Sequence, residues 1–193
     1  MDVKLWDARY RSRERAKEDF DSLPAKLVAD TTKQLRPGKA LDLACGTGRN
    51  ALWLAEHGWC VTAVDGSSTA IDVLRQRASE RTMPVDAIVA DLEAGEYCVQ
   101  PATWDLILIS YYLQRDLLKP AMSGAIPGGL LLAIVHITEP GEEATKTRLR
   151  PGELAKYFSG WEILHSYEGK PHDSNHQRPV AEIVARCPKG PIR

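Results

Sequence analysis

Five short apolar runs, at residues 40–44, 60–64, 87–90, 106–110 and 130–137, alternate with stretches of helical character. Runs of this length recurring with a helix between them read as parallel strands joined by crossovers, and such a sheet is covered on both faces. Leu23, Leu27, Val28, Thr31 and Leu35 share one helical face, stopped by Pro37-Gly38. Residues 50–57 read as a second helix, with Gly58 past its end. Thr69 and Asp72 have capping-box spacing and open a third helix, running to about Ser79. The stretch 111–126 reads as helical with a break near Pro120, followed by a Pro127-Gly128-Gly129 turn. Pro151 opens a short helix ending at Gly160. The last two strand-like stretches, 161–167 and 180–187, have no helical pattern between them, so they pair antiparallel. The expected fold is α/β and doubly wound: a mostly parallel seven-stranded sheet with an antiparallel last strand. In such sheets a ligand binds outside the carboxyl ends of the strands.

At 193 residues the chain suits one domain. Its parts are an N-terminal helical arm (1–36), a core (37–137) and a region of loop, short helix and terminal strand pair (138–193). The arm alternates in sign from Arg9 to Asp21, the pattern of a solvated helix. A net charge of -1 lacks the basic footprint of a nucleic-acid binder. The longest apolar runs, 106–109 and 130–135, fall far short of the roughly 20 residues of a membrane span. The charged N-terminus has no secretory core, so the expected location is cytoplasmic. Of the four cysteines, none forms a C-x-x-C pair, and Cys45, Cys60 and Cys187 read as small buried hydrophobes. Polar residues 138–149 read as a mobile surface loop and a candidate lid. Serine-hydrolase and P-loop motifs are absent.

The chemistry is concentrated in Leu41-Asp42-Leu43-Ala44-Cys45-Gly46-Thr47-Gly48-Arg49-Asn50-Ala51. Gly46 and Gly48 permit a tight turn and close approach of backbone to a ligand, and the following helix offers unpaired N–H groups. Asp65, about 20 residues on at a strand end, can accept from both hydroxyls of a ribose. Gly46-x-Gly48-x-x-Ala51 alone also fits a dinucleotide fingerprint. Asp42 argues otherwise: an acid pointing at the turn repels a diphosphate but suits a cationic amino-acid group.

With Val64-Asp65-Gly66-Ser67, Ala90-Asp91-Leu92, Trp104-Asp105-Leu106-Ile107 and Pro127-Gly128-Gly129-Leu130, this segment resembles the ordered motifs of class I S-adenosylmethionine-dependent methyltransferases, over about residues 35–137. Trp6-Asp7-Ala8-Arg9-Tyr10, residues 49–56 and Trp161-Glu162-Ile163 are similar, more narrowly, to small bacterial enzymes of the tellurite-resistance and thiopurine-methyltransferase-like kind. The resemblance implies that Asp42, Ala44, Cys45, Gly46 and Gly48 hold the methionine part of the cofactor. Asp65 would bind the ribose, and Gly66 and Ser67 would lie against the adenosine. Asp91 would accept from the adenine amino group, with Leu92 on the ring. Ser110 and Tyr111 would sit beside the methionine part and the reacting methyl. Relatives often carry a larger apolar residue where Ser67 stands, which leaves room for Trp6 or Tyr10 of the arm to pack there.

The cofactor carries the hard chemistry of methyl transfer, and the protein orients the partners. The fourth strand lacks the asparagine-proline-proline-aromatic run that marks amide and base methylation in the superfamily, so a small-molecule acceptor is expected: a thiol, another heteroatom or a chalcogen oxyanion. Candidates for its recognition are Tyr112, Gln114 and Arg115, His136, and the loop from Lys170 to Arg178. Within that loop the resemblance implies substrate or catalytic roles for His172 and Arg178, with His176 competing for the histidine role. His172 and His176 also have a helical ligand spacing, but no third ligand is evident and no metal is expected. His57, ahead of Gly58, reads as a helix C-terminal residue. The competing functions are a non-catalytic S-adenosylmethionine-binding protein and an NAD(P)-dependent oxidoreductase.

Overall fold

A computed structural model describes residues 3–12, 23–139, 141–173 and 175–190. In chain order its elements are α1 (Val3–Arg11), α2 (Lys26–Thr32), β1 (Lys39–Leu43), α3 (Arg49–Glu56), β2 (Cys60–Asp65), α4 (Ser68–Glu80) and β3 (Val85–Val89). These are followed by β4 (Trp104–Ser110), α5 (Arg115–Gly124), β5 (Ala125–His136), α6 (Glu153–Tyr157), β6 (Glu162–Gly169) and β7 (Val180–Arg186). The strands form a seven-stranded sheet in the order β3-β2-β1-β4-β5-β7-β6. By contacts the chain divides into two compact units, Met1–Cys98 and Val99–Arg193.

In the first unit β1, β2 and β3 run parallel, with Leu43 opposite Val64 and Asp65 opposite Val89. Four of the five residues of β1 are buried, as a strand covered on both faces requires. Leu41, Leu43, Leu52, Leu54, Ile71 and Leu74 are fully buried between sheet and helices. α4 is capped two residues earlier than its sequence pattern suggests. Ser67, not Thr69, is the N-cap and accepts from the Ala70 N–H at 3.2 Å, while Asp72 lies exposed beside Arg75. Ser67 can cap because it sits at the end of the β2 turn in extended backbone. His57 is the C-cap of α3, its Nδ1 2.7 Å from the Trp53 carbonyl oxygen. Cys60 is exposed rather than buried, because it begins the strand before the sheet is covered. Cys45 is partly buried and Cys187 buried. Most of the sign-alternating arm, residues 13–22, lies outside the described residues.

In the second unit β4 and β5 are parallel, and β7 is antiparallel to both β5 and β6. β6 therefore runs parallel to β5. His136, Val180 and Gly169 fall in register across the three strands, so the loop between β6 and β7 opens at the carboxyl end of β5. Two differences from the sequence pattern stand out. Tyr111 does not start a helix: it takes a left-handed turn at φ 58° and α5 starts at Arg115, with Pro120 inside it. β5 starts at Ala125 rather than 130, absorbing Pro127-Gly128-Gly129 as an irregularity in its register with β4.

Candidate cofactor and acceptor sites

The cofactor-side residues converge because of strand register. Asp65 extends β2 one step past Val64, alongside the turn leaving β1. Its Oδ2 accepts from the Gly46 N–H and its Oδ1 from the Ser67 N–H, both at 2.8 Å. One carboxylate thus ties two ligand-facing turns together, and each oxygen keeps lone-pair capacity for a further donor. Burial raises the Asp65 pKa, and the two N–H donors oppose that shift. Gly48 takes φ 82° at the N-cap of α3, and a Cβ there would strike Leu74 Cδ1 at 2.2 Å. Both conformation and space demand glycine. The buried Arg77 of α4 braces the turn by donating to the Thr47 carbonyl at 3.1 Å.

Asp42 is 1% exposed, and neither carboxylate oxygen has a hydrogen-bond partner. Its pKa is pushed up to about 7, first by burial, then by the charge of Asp65, against the smaller opposing pulls of the Arg49 charge and the Ala51 N–H, which falls short of a formed hydrogen bond. A buried acid without a donor costs free energy unless a cation or donor completes it. The ammonium of an amino-acid ligand is such a group, so the residues present fit the methionine end of S-adenosylmethionine. Cys45 lies against both acids, and its thiol is pushed well up by burial and by their charges, so it is no thiolate nucleophile.

α1 lies over these turns. A Cβ at Gly66 would sit 2.8 Å from Val3 Cγ2, and one at Gly46 would sit 2.7 Å from the Tyr10 hydroxyl oxygen. Asp7 Oδ1 accepts from the Ser67 hydroxyl at 2.8 Å and the Thr69 N–H at 3.0 Å, and Arg11 pairs with Asp7 at 2.6 Å. The donors hold the Asp7 carboxyl down at about 2. Trp6 packs on Tyr10 and carries the Arg9 guanidinium 4.9 Å over its ring, so Tyr10 rather than Trp6 reaches the glycine turn. Asp91 Oδ1 accepts from the Glu93 and Ala94 N–H groups, and Leu92 is buried beside it.

The acceptor-side candidates of the second unit separate into three groups. Tyr111 stacks on His176 with centroids 3.5 Å apart and planes 2° apart, and His136 lies 5.7 Å from Tyr111 and 5.3 Å from His176. Ser110, which precedes Tyr111, is half-buried at the end of β4. Nearby on β7, the buried Glu182 holds His165 at 3.2 Å and His172 at 3.3 Å. His176, not His172, therefore joins the ends of β4 and β5. The third group is internal scaffolding. Tyr112 is buried and donates its hydroxyl to Gln114 at 2.7 Å. Arg115 pairs with Glu153 at 3.2 Å and donates to the carbonyls of Thr145, Lys146 and Arg148. Arg115 thus anchors the segment 138–149, and Leu149 within it is fully buried. Arg178 is exposed in the β6–β7 loop. Among the described residues no group of three or more metal-ligating side chains is gathered.

Asp7 stands in the Trp6–Tyr10 motif without an expected role, and no sequence pattern singles out Arg77. Glu182 is not singled out either, although it carries a signal, as the lone acid in an apolar strand, the same signal that singles out Asp42.

The family model for the tellurite resistance protein TehB matches residues 16–178. The chain belongs to the TehB family. A probable S-adenosyl-L-methionine-dependent methyltransferase TehB of Haemophilus influenzae strain 10810 is 26% identical, over 79% of this chain and 58% of its own. The crystal structure of TehB from Haemophilus influenzae superposes with a TM-score of 0.75 at 25% identity, covering 90% of this chain and 66% of that one. A ribosomal RNA small subunit methyltransferase C of Alcanivorax borkumensis is 50% identical over 107 residues, 52% of this chain and 33% of its own. The chain spans about half the length, or less, of these curated relatives. Its fold is that of the TehB structure, a mostly parallel seven-stranded sheet with an antiparallel last strand. Family membership sets the NAD(P) reading aside.

Proposed function

We propose that this chain transfers the methyl group of S-adenosylmethionine to a small-molecule acceptor. The buried, partnerless carboxylate of Asp42 beside the Gly46–Gly48 turn carries this reading. Asp42 receives the ammonium, directly or through water, and Ala44, Cys45, Gly46 and Gly48 shape the turn around the methionine end. Asp65 binds the ribose with its remaining lone pairs. Gly66, Ser67 and Leu92 lie against the adenosine, and Asp91 accepts from the adenine amino group. Tyr10 closes over the turn. Ser110 and Tyr111 serve the methyl-transfer step, and His176, His172 and Arg178 recognise the acceptor.

When bound, the cofactor supplies an electrophilic methyl on a sulfonium, and the chain's own work is to orient and to exclude water. A second reading, methylation of ribosomal RNA, has the 107-residue likeness in its favour. The net charge of -1 speaks against it, because phosphate recognition draws on clustered cations. Isothermal titration with S-adenosylmethionine and S-adenosylhomocysteine tests the cofactor half. Absence of heat from a folded sample at millimolar ligand refutes it. Release of S-adenosylhomocysteine across a panel of thiols, phenols, N–H heteroaromatics, tellurite and transcribed small-subunit ribosomal RNA tests the acceptor half. Cofactor binding with no release from any member supports a non-catalytic binding protein instead.

A further inference from the structure

Glu182 is the one acid of β7, and its side chain is 3% exposed among apolar strand neighbours. Two partly exposed imidazoles close on it from different parts of the chain. His165 on β6 brings Nε2 to one carboxylate oxygen at 3.2 Å, and His172 in the β6–β7 loop brings Nδ1 to the other at 3.3 Å. A carboxylate only accepts, so each of these ring nitrogens carries a proton. A buried carboxylate without donors is costly, and here the two imidazole N–H groups supply them. Glutamine has the same shape but one acceptor oxygen, so it would serve one ring and turn an amide N–H towards the other.

The β6–β7 loop is tied to the sheet near both ends. The Tyr167 hydroxyl donates to the Lys170 carbonyl at 3.0 Å, and the Pro179 carbonyl accepts from the Ile137 N–H at 3.0 Å. Between these ends His172 reaches the sheet through Glu182, and its neighbour Asp173 folds the residues that follow. The Asp173 carboxylate accepts from the Asn175 N–H at 3.0 Å, and the Asp173 carbonyl accepts from the His176 N–H at 3.1 Å. His176 then lies flat on Tyr111, just past the end of β4, with centroids 3.5 Å apart and planes 2° apart. A connected path runs from the buried acid through His172 and the Asp173 turn to the ring that covers Tyr111. Every residue on it belongs to the second unit.

We propose that Glu182 is a positioning residue: it fixes the β6–β7 loop through the Nδ1 proton of His172 and thereby sets His176 on Tyr111. The loop carries His172, His176 and Arg178, so Glu182 governs recognition of the acceptor without touching it. That consequence rests on the methyltransferase reading above, whereas the fastening of the loop stands without it.

The test uses the full, cofactor-free chain labelled at histidine with 15N and 13C, at pH 7.5. The wild-type spectrum has a proton on Nδ1 of His172 and on Nε2 of His165, and the carbon-bound protons of His176 are shifted upfield by the Tyr111 ring. Glu182→Gln loses the His176 shift while the amide resonances of β5 and β7 stay in place. His172→Ala leaves the acid and His165 together and loses the same shift. His172→Asn restores it, because the asparagine amide nitrogen donates where Nδ1 did. The two His172 variants decide the matter if Glu182→Gln does not fold. A bare Nδ1 on His172, a His176 shift that survives in folded Glu182→Gln or His172→Ala, or an asparagine variant no better than alanine overturns the proposal. In turnover, Glu182→Gln raises KM for the acceptor found in the panel by about tenfold, the worth of one hydrogen bond to a charged group, and changes kcat by less than about twofold. An unchanged KM, or a loss confined to kcat, overturns the link from loop to acceptor. Failure of S-adenosylhomocysteine to bind wild-type protein would refute the underlying methyltransferase reading, whereas normal binding with a surviving His176 shift refutes only the role of Glu182.

Discussion

Asp42 is a strand residue whose buried carboxylate has no hydrogen-bond partner, and its protonation state has consequences. Asp42 sits among apolar neighbours and beside Asp65, so the cofactor-free chain favours its neutral form up to about pH 7. Binding an ammonium requires the carboxylate, so cofactor binding at pH 6 releases a proton. Affinity for S-adenosylmethionine should therefore rise with pH, by about tenfold per unit below 7, and level off above it. Titrations in buffers of different ionisation heat measure the proton directly. In Asp42→Asn the proton release should vanish and affinity should fall by at least about tenfold, the loss of one charge-assisted contact. The same shift has a sign for stability. A carboxyl whose folded pKa lies above its unfolded value of about 4 stabilises the fold in acid, and that contribution is lost as pH rises towards 7. Asp42→Asn should flatten this loss in denaturation curves of the cofactor-free chain.

At the level of elements, α1 and α5 each do more than pack. α1 is held across the cofactor turns by the hydrogen bonds of one carboxylate, Asp7. Asp7→Ala should remove a cap-like contribution of about 1 kcal/mol, lowering Tm by about 2–4 °C and weakening S-adenosylhomocysteine binding. Because the Asp7 pKa is depressed to about 2, its contribution is present above about pH 4 and is lost as pH falls towards 2. The wild-type and variant melting curves should therefore converge in acid. α5 presents Arg115, whose guanidinium holds three carbonyls of the 138–149 segment and Glu153. Arg115→Ala should expose amides of that segment to hydrogen exchange while leaving S-adenosylhomocysteine affinity unchanged.

The elements themselves were largely legible. Apolar runs and glycine stops located each strand within a few residues, because a strand buried on both faces must be continuously apolar. The errors fell where tertiary partners decide. Ser67 caps α4 and Thr69 bonds to Asp7, a residue 62 positions away in the sequence. Tyr111 leaves β4 in a left-handed turn that no helical period announces. Likewise the acids on β1 and β2 were visible from their apolar setting. The pairing of His176 with Tyr111 depends on β6 running parallel to β5, a register no local pattern encodes.

For the whole molecule, the decisive quantity is charge against length. A chain of 193 residues with 25 basic and 26 acidic side chains has little surplus cation to spend on phosphates. Many of its arginines are already committed: Arg115 to Glu153, Arg148 to Glu142, Arg150 to Glu143 and Arg186 to Glu162. A protein that neutralises several phosphates loses affinity steeply with salt, by about 10³–10⁵ between 50 and 200 mM for six to ten contacts. If the acceptor is a small neutral molecule, no such dependence exists. Methyl transfer to the acceptor found by the panel should therefore change less than about twofold over that salt range. Retention of the chain by transcribed small-subunit ribosomal RNA should be undetectable at 200 mM. Strong, salt-steep RNA binding would move the reading to ribosomal RNA, and with it the role of Arg178 from a small anion to a phosphate backbone.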